Sequence, residues 1–204
     1  MKRRTLDLIF SVGGVAIAIL VLVLGLVLQN QANFAEDYVH DQLAQQQITF
    51  TPAAGLQPDE TAACLRTYAG QALTTGAQAE CYANDYIGVH VKAINDGKTY
   101  SQTSGEARTM STELEAMADQ TSPEAVALAA QVKAAQGKAT TLFQGETLRG
   151  LLLTSYGFSI FGERAQQAAW VCFGLAAVLI LASIAGFVHA GTRSADHRIL
   201  AGDA

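Results

Sequence analysis

LIFSVGGVAIAILVLVLGLVL, residues 8–28, is answered near the other end of the chain by AAWVCFGLAAVLILASIAGFV, residues 168–188, and neither run contains a charged side chain. Each is about 21 residues long, which at 1.5 Å rise per residue matches the roughly 30 Å hydrocarbon core of a bilayer. Such runs predict two transmembrane helices. Everything between them is polar and net acidic, and the sequence places the protein far better than it states an activity.

Charge sets the expected orientation. Lys2, Arg3 and Arg4 precede the first run with only Asp7 to offset them, and Arg193 and Arg198 follow the second. Basic residues on the terminal side of both runs predict cytoplasmic termini. The region between holds the other eight Lys/Arg against fifteen Asp/Glu. That excess argues against binding anionic lipid or nucleic acid, both of which select basic patches. The first run exceeds the usual ~7–15 residues of a signal-peptide core and lacks a small-x-small exit, so it is expected to be retained as an anchor.

The expected organisation is a cytoplasmic N-terminus at 1–7, a first span at 8–28, an extracytoplasmic helical domain at 29–167, a second span at 168–189 and a cytoplasmic tail at 190–204. The fold class is all-α: two transmembrane helices flanking an extracytoplasmic helical bundle. Residues 31–46 extend the first helix. The stretch 47–58, with Ile48, Thr49, Pro52, Gly55 and Pro58, suits an extended connection. Asp59 and Glu60 stand where a helix start favours acids, with a helix expected over 61–71 and a second, past Gly76, over 77–94. Residues 99–117 predict one or two short helices split near Gly105. Ser122-Pro123-Glu124 is a strong helix start, pairing a capping hydroxyl with proline at the first helical position. That helix is expected to reach Phe143. The block 151–161, apolar around its whole circumference, is either the central helix of the bundle or a segment at the membrane surface.

Cys64 and Cys81 are the cysteines outside the spans, since Cys172 lies within the second, and an oxidising compartment would join them. Geometry attaches a condition. A turn at Gly76 would separate the pair by about 10 Å in height, beyond the roughly 7 Å Cα limit, so the bond requires a turn near 70–74.

Histidine offers little for metal chemistry. Only His40 and His90 fall between the spans, and no close His-x-x-x-His or Glu-x-x-His pair exists, so His90 is expected to be hydrogen-bonded within the bundle. No Gly-x-Ser-x-Gly elbow or phosphate-binding glycine loop is present. No catalytic residue, metal or cofactor is assigned. Within the spans, Gly14 with Ala18, and Ala182 with Gly186 and Ala190, form four-spaced small-residue stripes that favour helix packing in lipid. The expected partners are the bilayer and another membrane protein or further copies of this chain.

Two strings, YAGQALTTGAQAE at 68–80 and LFQGETLRGLLL at 142–153, resemble a family of actinobacterial integral membrane proteins of similar length. The resemblance implies a two-span layout over nearly the whole chain. Some members carry an aromatic ring-opening dioxygenase label, yet this sequence lacks the 2-His-1-carboxylate iron site that such chemistry requires. The uncharged spans, the small-residue stripes and the acidic helical domain point to a non-enzymatic, membrane-anchored interaction or assembly module, an accessory subunit of a cell-envelope complex. The alternative is a ligand-binding or sensory protein with an apolar cavity near 151–161.

Overall fold

The computed structural model describes residues 3–58 and 60–192. Lys2, Asp59, Arg193, His197 and Arg198 lie outside the described residues, and with them most of the evidence for the expected tail. Two very long helices frame the fold: α1, Arg3–Ala44, of 42 residues, and α6, Pro123–Thr192, of 70 residues. Between them come a single 3-10 turn at Ala53–Gly55, the short α2, Ala63–Thr67, then α3, Gly76–Cys81, which continues through a π-helical turn, Tyr82–Ile87, into α4, Gly88–Ile94. The last of the intervening helices is α5, Tyr100–Glu115. No strand occurs among the described residues; one antiparallel bridge joins Thr49 to Ala72.

Contacts divide the chain into two units, Tyr38–Ser159 and the segments on either side of it. In the flanking unit α1 and α6 run antiparallel and meet along a seam of small residues. Ser11, Ala18, Gly25 and Ala32 on α1 are buried at intervals of seven, and so are Gly162, Ala169, Ala176, Ser183 and Ala190 on α6. A Cβ on Gly25 would lie 2.7 Å from Phe173 Cε1, one on Gly162 2.8 Å from Ala35 Cβ, and one on Gly14 or Gly186 would strike the Oγ of Ser183 or Ser11. Only small side chains let two backbones approach so closely. Gln29 and Gln166 exchange two amide hydrogen bonds of 2.6 Å across the pair and fix its register.

This seam revises the expected stripes. Gly14, Ala18, Gly186 and Ala190 lie in it, but Ala182 is exposed and Ser183 takes its place. The repeat is seven rather than four, because the contact face of each helix returns after two full turns. The remaining surface of both runs is open: Phe10 is 75 % exposed, Leu20 70 % and Val171 70 %. Both helices are long and apolar enough to cross a membrane.

The second unit has its own core. Phe50, Leu65, Leu73, Cys81 and Leu142 are each at most 2 % exposed and pack with Val39, Leu43, Ala79, Ala83 and Leu152. The extended connection forms as expected at its start, where Phe50 N–H donates to Gln71 C=O and Leu73 N–H to Ile48 C=O, both at 2.9 Å. The helix expected over 61–71 is shorter, since Gly70, with φ +73°, turns the chain there.

Further expectations change along the rest of the unit. Residues 100–115 form one helix, undivided at Gly105, begun by a capping box between Thr99 and Gln102. Ser122 Oγ accepts from Ala125 N–H at 3.1 Å and starts α6 as expected. That helix does not stop at Phe143: 151–161 is a middle segment of it. Gly145, Gly162 and Gly186 within it are contact points, whereas Gly137, Gly150 and Gly157 face open space. A Cβ on Gly145 would sit 2.6 Å from Val91 Cγ2. The block is also not apolar-buried on all sides, with Leu152 3 % but Leu151 62 % exposed.

Candidate functional site

The chemistry-bearing groups of the second unit gather on α3, the π-turn and α4. Thr75 starts this run with a capping box, its Oγ1 accepting from Gln78 N–H while Gln78 Oε1 accepts from Thr75 N–H. Gly76 can then sit directly against Ser159, where a Cβ would collide with the serine side chain. The turn required for the disulfide therefore falls at 68–75, and Cys64 is bonded to Cys81 with Cα atoms 6.1 Å apart.

The wider π-turn follows immediately. Such single turns recur at functional positions because they change which side chains share a face. Here Tyr82 stacks on Tyr86 with ring centroids 4.7 Å apart, His90 lies tilted against Tyr86 at 4.6 Å, and Phe50 meets Tyr82 edge-on at 5.3 Å. Burial, then the neighbouring Tyr86 and Glu60, push the Tyr82 phenol above its ordinary value.

Glu60 completes the group. Its side chain is only 2 % exposed; Oε2 accepts from Gln57 N–H at 2.8 Å, and Oε1 lies 3.4 Å from His90 Nε2. His90 Nδ1 is 2.7 Å from Tyr86 C=O and so carries the proton that it donates there. Glu60 does not stand at the helix start expected of it, since α2 begins only at Ala63. Its readable signal was Pro58, beside which Glu60 N–H donates to Gln57 C=O at 3.0 Å.

On another side of the turn Arg149 bridges two elements, with Nη2 donating to Asn84 Oδ1 at 3.1 Å and Nη1 to Glu146 Oε2 at 3.2 Å. Asn84 in turn donates to Glu80 Oε1 at 2.9 Å. A Cβ on Gly88 would stand 3.5 Å from Arg149 Nε, an ordinary contact. That Nε is buried without a hydrogen-bond partner among the described residues. Glu146 and Arg149 thus have a structural role, tying α6 to the π-turn.

This arrangement does not assemble a metal centre around His90. Catalytic metal sites use three converging protein ligands, and among the described residues Glu60 is the acid paired with its ring, with no group of three ligands that includes His90. The Cys64 and Cys81 sulfurs and Asp85 fall within 4.8 Å of one another, but the bond between the sulfurs removes both thiolates. Asp85 Oδ2 at 3.2 Å from Cys64 Sγ is accordingly a contact and not a hydrogen bond, because the bonded sulfur has no proton. His40 stands apart, exposed beside Asp41. Comparison with known protein families, curated proteins and solved structures finds no match. A further concave feature is a groove of about 560 Å³ between α5 and α6, well away from 151–161 in sequence.

Proposed function

We propose that this chain is a two-pass membrane protein with cytoplasmic termini that holds a disulfide-fastened helical module outside the cytoplasm, and that the module docks on another integral membrane protein. The observation that carries the reading is the exposure pattern of the two apolar runs. A core helix of a soluble protein buries such residues, whereas here only the small-residue seam is covered and the large apolar side chains face outward. An open apolar surface of that extent belongs in lipid. The disulfide supports an oxidising compartment for the module, and the family resemblance at 68–80 and 142–153 implies the same layout.

Docking is supported by a stripe on α6 within the second unit. Leu148, Leu151 and Phe158 share a helix face and are 38 %, 62 % and 37 % exposed, a surface suited to a partner helix. A photo-reactive amino acid in place of Leu151, irradiated in native membranes, tests this. One discrete protein adduct in near-stoichiometric yield is the expected product. Lipid adducts alone would instead lay 151–161 on the membrane surface and end the docking proposal.

A further inference from the structure

α5 and the first part of α6 form an antiparallel hairpin, with Tyr100 facing Phe143 at 5.4 Å and Gln136 Nε2 reaching Ser111 Oγ at 3.5 Å. Thr103, Ala107 and Ala139 seal the seam. The C-terminal end of α4 covers part of this hairpin, Asn95 donating to Thr103 Oγ1 at 2.9 Å and accepting from Lys138 Nζ at 3.1 Å. The groove of about 560 Å³ remains uncovered, lined by Tyr100, Ser104, Arg108, Ser111, Gln136 and Phe143 among others. Its volume lies within the range of small-molecule sites.

The groove is chemically polarised. At one end the groove is lined by the Arg108 guanidinium, the Ser111 hydroxyl and the Gln136 amide, Gln136 Nε2 donating to Ser111 Oγ at 3.5 Å. Among the described residues no carboxylate pairs with Arg108, although Lys98 pairs with Glu106 and Arg149 with Glu146. At the other end Tyr100 and Phe143 present half-exposed rings. Eight helical residues separate Arg108 from Tyr100, about 12 Å at 1.5 Å per residue. Between the ends lie Ala107 and Ala139 together with Ser104 and Thr140, whose hydroxyls donate to the backbone carbonyls of Ser101 and Gln136. Donors without an acid at one end, and aromatic surface at the other, match a ligand with an anionic head and an apolar body.

We propose that this groove binds an amphiphilic anion, its carboxylate or phosphate held by Arg108, Ser111 and Gln136 and an acyl or aryl body lying toward Tyr100 and Phe143. The site is independent of the docking stripe and goes beyond that reading.

The test uses the full chain in zwitterionic phosphatidylcholine nanodiscs, titrated with anilinonaphthalene sulfonate as a fluorescent amphiphilic anion, with empty nanodiscs subtracted. Saturable binding is expected, displaced by octanoate or octyl phosphate but not by octanol. Arg108→Gln, an exposed position whose replacement leaves the core intact, weakens it about tenfold or more; Phe143→Ala weakens it as well. Lys92→Gln, which removes an exposed cation elsewhere, leaves it unchanged. Repetition in nanodiscs containing phosphatidylglycerol identifies the source: loss of probe binding assigns the head group to bilayer lipid, and retention to a soluble amphiphile. Absence of a saturable component, equal affinity in Arg108→Gln, or displacement by octanol would overturn the proposal.

Discussion

Opening the Cys64–Cys81 bond should destabilise the second unit by an amount that loop length sets. The bridge spans a sequence separation of 17, and closing a loop of that size contributes about 3 kcal/mol in the chain-entropy account. The unit it fastens, Tyr38–Ser159, has roughly 120 residues, for which an unfolding entropy of ~2.1 cal/mol/K per residue gives about 250 cal/mol/K. The quotient is a fall in melting temperature of about 12 °C. Reduction is the cleaner perturbation, because Cys81 is 1 % exposed and Cys→Ala would add a cavity. Near-ultraviolet dichroism of the Phe50, Tyr82 and Tyr86 array reports melting of this unit in nanodiscs, with and without a phosphine reductant, and alkylation mass shifts verify the thiol state. A reduced protein melting within about 2 °C of the oxidised one would refute the entropic reasoning. Thiols at 64 and 81 that alkylate without reductant in the native protein would remove the bond, and with it the compartment argument.

Two further outcomes follow from packing and titration. Gly25→Leu places a branched side chain where a bare Cβ already comes within 2.7 Å of Phe173, so the seam must open; overpacking costs about 1–3 kcal/mol, and cysteine cross-linking between positions 11 and 186 should fall sharply, whereas unchanged cross-linking would contradict the close seam. Tyr82 has a raised pKa in the fold, so its stabilising contribution is intact below the unfolded value near 10 and is lost as pH climbs through the folded pKa. Tyr82→Phe should therefore retain more of its own stability between pH 9 and 11.5 than the parent does, and parallel pH curves for the two proteins would sink the assignment.

Much of the helical content was legible because it is encoded locally. Length and apolarity define α1 and the end of α6, Ser122-Pro123-Glu124 starts α6, and the break at Gly70 is a matter of one backbone conformation. The Thr99-x-x-Gln102 capping box was equally legible and marks the start of α5, which the expected split near Gly105 had obscured. The site was mostly not legible. Glu60 and His90 stand 30 positions apart and meet only because the π-turn and the disulfide bring α4 beside the 57–60 turn.

Glycine shows where local reading ends. Inside a helix it costs about 1 kcal/mol relative to alanine, so Gly145, Gly150 and Gly162 suggest interruption when taken residue by residue. Val91 and Ala35 approach so closely at Gly145 and Gly162 that any Cβ would collide, and packing outweighs the local penalty; for Gly150, which has open space around it, nothing in the structure explains the choice. The sequence by itself determined that two apolar helices enclose an acidic helical region with one pair of cysteines, because hydropathy and capping act within a few turns of chain. Only the tertiary structure decided that the helices meet at sevenfold spacing through Ser183 rather than Ala182, that α6 runs unbroken, and that Arg108 opens onto a groove, because each depends on what a distant segment brings to within a few ångströms.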